Sequence, residues 1–265
     1  MKTSLKETAY RHIRSKLLSR ELKPGSSLSP RALAKEIGIS FTPVRDAIGQ
    51  LAIEGLLETH PKKGTTVVDI SRDDLAELYD VREALECHAV AKSDAKYTEA
   101  DFIEMEKSTD EMEAVAAEVK QAGGQAFSVE QSDRFMVADA AFHVALLRGA
   151  GNKKAIRIVN ELRVMTRIFG HRTREALPGG DLTIVCRDHR ELIQALRERN
   201  GEKARGILGE HLRRGCRRAL AAFDRSRMEE AAGHGSWVTY PAELQGRIQE
   251  LEEKAEGKDA REGAS

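Results

Sequence analysis

The chain has 265 residues, enough for two domains of ordinary size, and its 40 % of apolar residues suffices to pack their cores. Charged residues reach 32 % and aromatic residues only 5 %, a balance that favours a helical protein over a β-sandwich. Three widely spaced cysteines argue against a disulfide framework and against a cysteine-built zinc site. The sequence shows neither a signal peptide nor an apolar run of the ~20 residues that span a bilayer, so we expect a cytoplasmic protein with no membrane partner.

Net charge is zero, but it is unevenly distributed along the chain. Residues 1–68 contain 12 Lys and Arg against 6 Asp and Glu, which leaves 31 basic and 37 acidic residues for the remainder. A basic N-terminal part on an acidic body predicts that only the first part meets a polyanion such as DNA.

Three short helices are predicted in the N-terminal region. Apolar residues at helical spacing indicate the first, over about residues 5–22. Ser29 is placed to cap the second helix and Gly38 to close it. Thr42 is placed to cap the third helix, which covers residues 43–54 and buries one apolar stripe. The residues of that stripe are Val44, Ile48 and Leu51.

Two short β-like runs follow, over residues 56–60 and 65–69. The Pro-Lys-Lys-Gly sequence at residues 61–64 joins them and has the composition of a hairpin loop. The order helix, helix, tight turn, helix and hairpin is that of a winged helix-turn-helix, which we assign to residues 1–70.

The region after Ser71 is predicted to be helical as far as about residue 225, because alanine and leucine fill its repeating positions. Breaks rich in Gly, Pro and Asn divide it into about six helices. The predicted fold class is therefore mainly α, with an antiparallel all-α bundle over residues 71–226 after the winged helix. Residues 227–265 are predicted to be a partly disordered tail with room for one amphipathic helix over residues 241–254.

One side of the third helix is free to enter a major groove, because its apolar stripe faces the body of the protein. Arg45 lies on that free side near the helix N-terminus, where backbone N–H groups and the positive helix pole attract phosphate. Other polar residues lie on the same side or at the tip of the hairpin. With Arg45, the candidate DNA contacts are Arg31, Ser40, Thr42, Lys62 and Lys63.

Four polar side chains of the bundle are spaced so that they can converge. Asp139 and His143 are one helical turn apart and project from one helix face. His189 and His211 lie on either side of the turn at Asn200-Gly201, which returns them to one level of an antiparallel hairpin. One carboxylate and three imidazoles suit a borderline divalent cation such as zinc, nickel or manganese. The alternative is that these histidines are core or surface residues that never meet.

The segment from Leu28 to Val68 resembles the GntR family of bacterial regulators. A long motif carries the resemblance: Pro24-Gly25, Leu33-Ala34, Ile39-Ser40, Thr42-Pro43-Val44-Arg45-Asp46-Ala47-Ile48, Leu51, Glu54-Gly55-Leu56-Leu57, Pro61 and Gly64. It implies DNA contacts from Arg31, Ser40, Thr42, Arg45 and the wing around Lys63 and Gly64.

Phe41 departs from that family's pattern, which usually has Arg between the Ser and the Thr of this turn. An Arg there would supply a base or phosphate contact of ~1–3 kcal/mol, whereas Phe can only pack or touch a thymine methyl group. We therefore expect this protein to read DNA differently from its relatives.

Residues 75–220 resemble the FCD effector domain of the FadR-type GntR subfamily. The residues that carry this resemblance are Arg82, Leu85-Glu86, Asp139, Phe142-His143, Gly151-Asn152, Asp188-His189, Leu192-Ile193, Ala195-Leu196 and Glu210-His211-Leu212. In that family the Asp and the three His bind a metal, and small carboxylates or sugar acids are the usual effectors. Arg82, Arg163 and Arg167 are candidates for holding such an anion, and of these Arg82 lies in a motif.

The leading hypothesis is a dimeric transcriptional repressor that reads a palindromic operator and senses a small organic acid at the metal. A metal sensor, in which the cation itself is the signal, would use the same residues. A metal-dependent hydrolase fused to a DNA-binding domain is a further alternative. The sequence has no H-E-x-x-H motif and no carboxylate at a spacing that specifies a general base, so we predict that the protein is not an enzyme.

Overall fold

The computed structural model describes residues 4–19, 21–61, 64–92, 96–123, 128–170 and 179–231. Its N-terminal part is a winged helix-turn-helix, as the sequence predicts. In chain order the elements are α1 Leu5–Leu18, β1 Ser27–Leu28, α2 Pro30–Ile37, α3 Phe41–Ile53, β2 Leu57–His60 and β3 Gly64–Val67.

Helix α2 begins and ends at the residues that the sequence indicates. The Ser29 hydroxyl accepts a hydrogen bond from the backbone N–H of Ala32 at 3.3 Å, and Pro30 occupies the first helical position. Gly38 adopts a left-handed φ of 76°, which ends the helix and turns the chain toward α3.

The start of α3 corrects one prediction. This helix begins at Phe41 with Ser40 in an extended conformation at the N-cap, so Thr42 is not the capping residue. Proline is tolerated in the first turn of a helix, where backbone N–H groups have no partner within the helix. The sequence places the start of α3 at Pro43, whereas the backbone is already helical from Phe41.

The wing is a three-stranded antiparallel sheet in the order β1-β3-β2. Strands β2 and β3 form the predicted hairpin, with Leu57 opposite Val67 and His60 opposite Gly64. Strand β1 extends the sheet on the other side of β3. Its two residues are too few for an alternating pattern, and for that reason the sequence analysis missed it.

The described residues after Ser71 form six helices, as predicted: α4 Arg72–Ala91, α5 Glu99–Gln121, α6 Val129–Gly149, α7 Lys153–Gly170, α8 Gly179–Arg197 and α9 Gly201–Ala231. Helix α9 continues to Ala231, beyond residue 226, where the sequence places the end of the bundle. The helix predicted over residues 241–254 lies outside the described residues. Within the described ranges, none of the helices combines the length and apolar content needed to cross a membrane.

Two large apolar cores fix the positions of these elements. One lies mainly between α5, α6, α8 and α9 and surrounds Phe142, which has no exposed surface. The other joins the winged helix to the bundle, because Leu17 of α1 and Leu51 of α3 share it with Val164 and Ile168 of α7 and with residues of α4 and α9. Helix α7 therefore lies between the DNA-binding domain and the interior of the bundle.

Candidate DNA-binding face and metal centre

Helix α3 presents the side of the winged helix that can enter DNA. Its buried stripe packs against α1 and consists of Val44, Ala47, Ile48 and Leu51. Arg45 is exposed on the other side of α3, and Arg31 is exposed at the start of α2. Neither guanidinium forms an ion pair with any residue that the structure describes. Both cations are thus available to phosphates or base edges.

The N-terminal end of α3 has no internal cap. The Ser40 hydroxyl makes no capping hydrogen bond, and Thr42 is exposed in the first turn. The hydroxyl groups of Ser40 and Thr42 therefore lie beside the first backbone N–H groups of α3. These donors and the positive pole of the helix dipole together favour the binding of phosphate. Phe41 lies between these two residues and is 44 % exposed, so an apolar ring occupies the same end of the helix.

Of the three predicted DNA contacts in the wing, Gly64 is among the described residues. Gly64 begins β3 with a left-handed φ of 86°, which glycine adopts without strain. Lys62 and Lys63, the predicted contacts at the tip of the hairpin, lie outside the described residues.

The structure brings together all four residues of the predicted metal site. Asp139 and His143 come from α6, His189 from α8 and His211 from α9. One ligand atom of each lies within 4.8 Å of those of the other three. Oδ1 of Asp139 is 3.8 Å from Nε2 of His143 and 3.9 Å from Nε2 of His189. The three histidines therefore do meet, and we call these four residues the His/Asp cluster.

The geometry and chemistry of the His/Asp cluster fit a divalent cation. An ion bound at ~2.0–2.2 Å from each ligand atom holds those atoms roughly 3–4 Å apart, close to the observed spacing. His189 is fully buried, and neither of its ring nitrogens has a hydrogen-bond partner among the described residues. Its ring stacks on Phe142 with the ring centroids 3.9 Å apart. Buried polar atoms rarely lack a hydrogen-bond partner, so the unpartnered ring nitrogens of His189 indicate a ligand-binding role.

A buried carboxylate orients His143. Oε2 of Glu86, on α4, is 3.0 Å from Nδ1 of His143, and Oε1 accepts a hydrogen bond from Nε of Arg82 at 2.9 Å. All three side chains are almost entirely buried. The sequence favours Arg82 as the effector-binding residue. In the structure Arg82 pairs with Glu86, and Glu86 lies between Arg82 and His143 of the cluster.

A second buried carboxylate lies beside His211. Oδ2 of Asp188 is 3.4 Å from Nδ1 of His211 and also accepts a hydrogen bond from Arg214. Asp188 directly precedes His189 in the chain, yet it contacts the histidine of the neighbouring helix. Carboxylates in such positions fix the orientation of metal-binding imidazoles.

Arg163 of α7 donates a hydrogen bond to the carboxylate of Asp139 and lowers the pKa of that carboxyl group. Its Nη2 donates to Oδ2 of Asp139 at 3.0 Å. Burial raises the pKa of Asp139. The charge of His143, which is protonated at the low pH where this carboxyl titrates, and the charge of Arg163 outweigh burial and hold the pKa of Asp139 below its usual range. Burial and the Arg163 charge lower the pKa of His143 to about 4, and burial also lowers the pKa of His189. An ionised carboxylate and neutral imidazoles are the forms that bind a metal.

Sequence reasoning missed the roles of Glu86 and Asp188, although both lie in the motifs quoted above. The spacing of Arg82 and Glu86 is the signal for an ion pair on one helix, but it does not point to His143 on another helix. Arg163 is one of the arginines that the sequence offers for an anion, and the structure gives it Asp139 as a partner. The side chain of Arg167 lies outside the described part of the chain.

Comparison with known proteins assigns the chain to a family. The model for bacterial regulatory proteins of the gntR family matches residues 5–67, and the model for the FCD domain matches residues 77–214. The chain therefore belongs to the GntR family, with an FCD domain after its winged helix, and it is a transcriptional regulator of this type. Both resemblances drawn from the sequence are confirmed.

Individual relatives span most of both chains. An uncharacterized HTH-type transcriptional regulator in an unstable DNA locus of Streptomyces ambofaciens is 30 % identical over 208 residues, which are 77 % of this chain and 80 % of that protein. The HTH-type transcriptional repressor RspR of Escherichia coli K12 is 24 % identical over 77 % of this chain and 83 % of its own. The solved structure of E. coli McbR/YncC has a TM-score of 0.67 at 22 % identity, covering 84 % of this chain and 100 % of that one, and thus shares the fold.

Proposed function

We propose that this protein is a homodimeric repressor whose binding to a palindromic operator responds to a small carboxylate or sugar acid held at a metal ion in the bundle. The observation that carries the proposal is the His/Asp cluster, in which the ring nitrogens of the fully buried His189 have no hydrogen-bond partner among the described residues. The assignment as a repressor is supported by the name of the E. coli relative RspR.

The operator contacts are proposed from the exposed face of α3. Arg45 would reach base edges near the helix N-terminus, and Arg31 the flanking backbone. Ser40 and Thr42 would donate to phosphate, and the wing would touch the backbone or the minor groove through Lys62, Lys63 and Gly64.

Selection of binding sites from random DNA, followed by substitution of Arg45, tests this interface. Arg45→Ala should abolish binding of the selected site while leaving the fold intact. Arg11→Ala is the matched control, because Arg11 is exposed in the same domain and already pairs with Glu7 at 2.9 Å. Retained binding by Arg45→Ala would show that α3 is not the recognition helix.

Zinc is the ion that we assign to the cluster, with nickel and manganese as alternatives of similar ligand preference. Asp139, His143, His189 and His211 would hold it through one oxygen and three nitrogens. Four protein ligands leave open positions on an ion that accepts five or six, and there the metal would supply a Lewis acid for a carboxylate of the effector.

Arg82 and Arg163 balance the carboxylates of Glu86 and Asp139, so a bound divalent ion would leave this region with a net positive charge that favours an anionic effector. Arg163 contacts Asp139 directly, and the charge of Arg82 lies within range of the same carboxylate. Both guanidinium groups are more than nine-tenths buried, where electrostatic attraction is only weakly screened. We therefore expect small organic acids, not neutral sugars, to bind here.

The dimer is proposed to form through α4 and α7, two adjoining helices of the bundle. Val81 on α4 is 45 % exposed and Ile158 on α7 is 42 % exposed, although both are large apolar residues. Burial of these two residues against a second copy of the chain would give two recognition helices related by two-fold symmetry, and hence a palindromic operator.

A thermal-shift screen of organic acids, with zinc-loaded and chelator-treated protein, tests the effector site. An acid that raises the unfolding temperature of the loaded protein only would establish its dependence on the metal. Elemental analysis of protein purified without chelator gives the ion. A tightly retained ion agrees with an anchoring role, whereas reversible binding at cellular concentrations would favour a metal sensor. Absence of any ion, with no uptake of added zinc, would overturn the metal centre.

A further inference from the structure

Helix α7 contacts the His/Asp cluster on one side and lies beside Gly55, at the end of α3, on the other. We propose that α7 transmits the state of the cluster to the DNA-binding domain, through the contact of Arg163 with Asp139 and the packing of Met165 beside Gly55. The inference rests on the proposed function, because it takes the cluster to be the metal centre.

On the cluster side, the two carboxylate oxygens of Asp139 have different partners. Oδ2 of Asp139 accepts the hydrogen bond from Arg163 at 3.0 Å, while Oδ1 faces the imidazoles of His143 and His189 at 3.8 and 3.9 Å. Asp139 can therefore move toward the imidazoles as a one-oxygen ligand and keep its bond to Arg163. Any such movement pulls on the Arg163 side chain and through it on α7.

The contact on the other side lies two residues further along α7. Residues two apart on an α-helix are ~200° apart around its axis, so Met165 points away from the side that carries Arg163. The terminal methyl of Met165 lies 3.4 Å from the position that a Cβ on Gly55 would occupy. Gly55 follows the last turn of α3 with a left-handed φ of 73° and ends the recognition helix.

The packing between these two contacts is tight enough to transmit a displacement. Val164 and Ile168 are only 4 % and 2 % exposed and belong to the core that contains Leu17 and Leu51 of the winged helix. Close-packed interiors deform little, so a shift of α7 displaces its neighbours instead of being absorbed. Helix α4 also spans the molecule, from Ser71 after the wing to Glu86 beside His143, and is the competing route.

Hydrogen–deuterium exchange of the full-length protein, stripped with chelator and then reloaded with zinc, tests the route. In the wild type, zinc should change deuterium uptake in peptides that cover residues 48–57, at the end of α3. Two variants remove one contact each, Arg163→Met on the cluster side and Met165→Ala on the α3 side. Met165→Ala should bind zinc at the wild-type stoichiometry, and both variants should lose at least half of the zinc-dependent change. Arg157→Met is the matched control, because Arg157 is exposed on the same helix, and it should keep the full change.

The outcomes separate this inference from the proposed function. A wild-type protein that takes up no zinc overturns the metal centre and the inference with it. If the wild type binds zinc but deuterium uptake in residues 48–57 does not change, the inference alone is overturned. If the variants bind zinc and show the same change in uptake as the wild type, the inference is also overturned, and the coupling is assigned to α4. If Arg163→Met fails to bind zinc or to fold, Met165→Ala decides, because Met165 is not part of the cluster.

Discussion

Oε2 of Glu86 lies 3.0 Å from Nδ1 of His143, and both side chains are excluded from water. Burial raises the pKa of Glu86, but the Arg82 charge and the His143 contact outweigh it and hold that pKa below its usual range. Glu86 is therefore ionised and accepts the hydrogen bond, so the proton of His143 resides on Nδ1. The lone pair on Nε2 is then directed at the side of the ring where Asp139 lies.

Glu86→Gln should weaken zinc binding about 10- to 100-fold, because the amide keeps the size of the side chain but no longer favours one tautomer of His143. Competition with a chromophoric zinc chelator measures the affinity, with circular dichroism as a check on folding. Glu83→Gln on the same helix removes a carboxylate that pairs with Arg213 outside the cluster, and should leave the affinity unchanged. Equal affinities for the two variants would contradict the role of Glu86.

Phe41→Arg should change the preferred operator at one position of each half-site. Arginine recognises guanine through two hydrogen bonds, so preference for guanine over thymine at that position should rise by roughly 5- to 150-fold, the equivalent of ~1–3 kcal/mol. Selection from random DNA with deep sequencing measures the preference. Ile53→Arg adds the same charge at the far end of α3, where Ile53 is 90 % exposed, and should retain the wild-type preference. An identical shift in base preference for both variants would mean that the added positive charge, and not a specific contact at residue 41, causes the shift.

Val81→Asp combined with Ile158→Asp should convert the proposed dimer into a monomer, because a carboxylate cannot be buried in an apolar interface without a partner. Light scattering coupled to size-exclusion chromatography measures the mass in solution. Ile103→Asp is a suitable control, since Ile103 is 57 % exposed on α5, away from the α4 and α7 patch. A double variant that remains dimeric would place the interface elsewhere.

Asp101→Asn should lower the free energy of unfolding by about 1.5–3 kcal/mol at pH 7, the range for hydrogen bonds to a charged group. Oδ2 of Asp101 accepts from the hydroxyl of Thr98 at 2.6 Å and from its backbone N–H at 2.9 Å, and Oδ1 accepts from Arg148 at 2.8 Å. Burial raises the pKa of Asp101, but these bonds outweigh burial and leave that pKa lowered. The stabilisation is therefore complete above the unfolded pKa of about 3.9 and is lost as pH falls through the lower folded value.

Urea unfolding of both proteins between pH 7 and pH 3 measures this difference. The gap between wild type and Asp101→Asn should stay constant down to about pH 5 and then narrow. A gap that did not narrow in acid would mean that the contribution of Asp101 is not electrostatic.

Much of the fold follows from signals that act locally. Ser29, Gly38 and Ser71 mark helix ends through bonds to their own neighbours, so the sequence predicts the winged helix and the six helices after it. The His/Asp cluster is predictable in part for a related reason. Asp139 and His143 share a helix face, and the hairpin around Asn200 returns His189 and His211 to one level, so the spacing offers two pairs of ligands. That the two pairs meet follows only from the packing of α6 against α8 and α9.

The surroundings of the cluster were not predictable in this way. Glu86 and His143 are 57 residues apart, and Asp139 and Arg163 are 24 apart on different helices. Whether such side chains meet depends on how each helix is rotated about its axis, which side-chain packing decides and periodicity does not. The error at Thr42 arose differently, because two hydroxyl residues and a proline offered competing starts for one helix.

The core that Leu17 and Leu51 share with Val164 and Ile168 limits how freely such regulators can exchange parts. A fragment ending near residue 70 would expose the winged-helix side of this core, and an FCD domain joined to a foreign winged helix would expose the α7 side. Successful exchange then requires matched changes at these apolar positions on both sides. The two halves of this regulator are therefore expected to diversify together in evolution, even though one reads DNA and the other is proposed to read a metabolite.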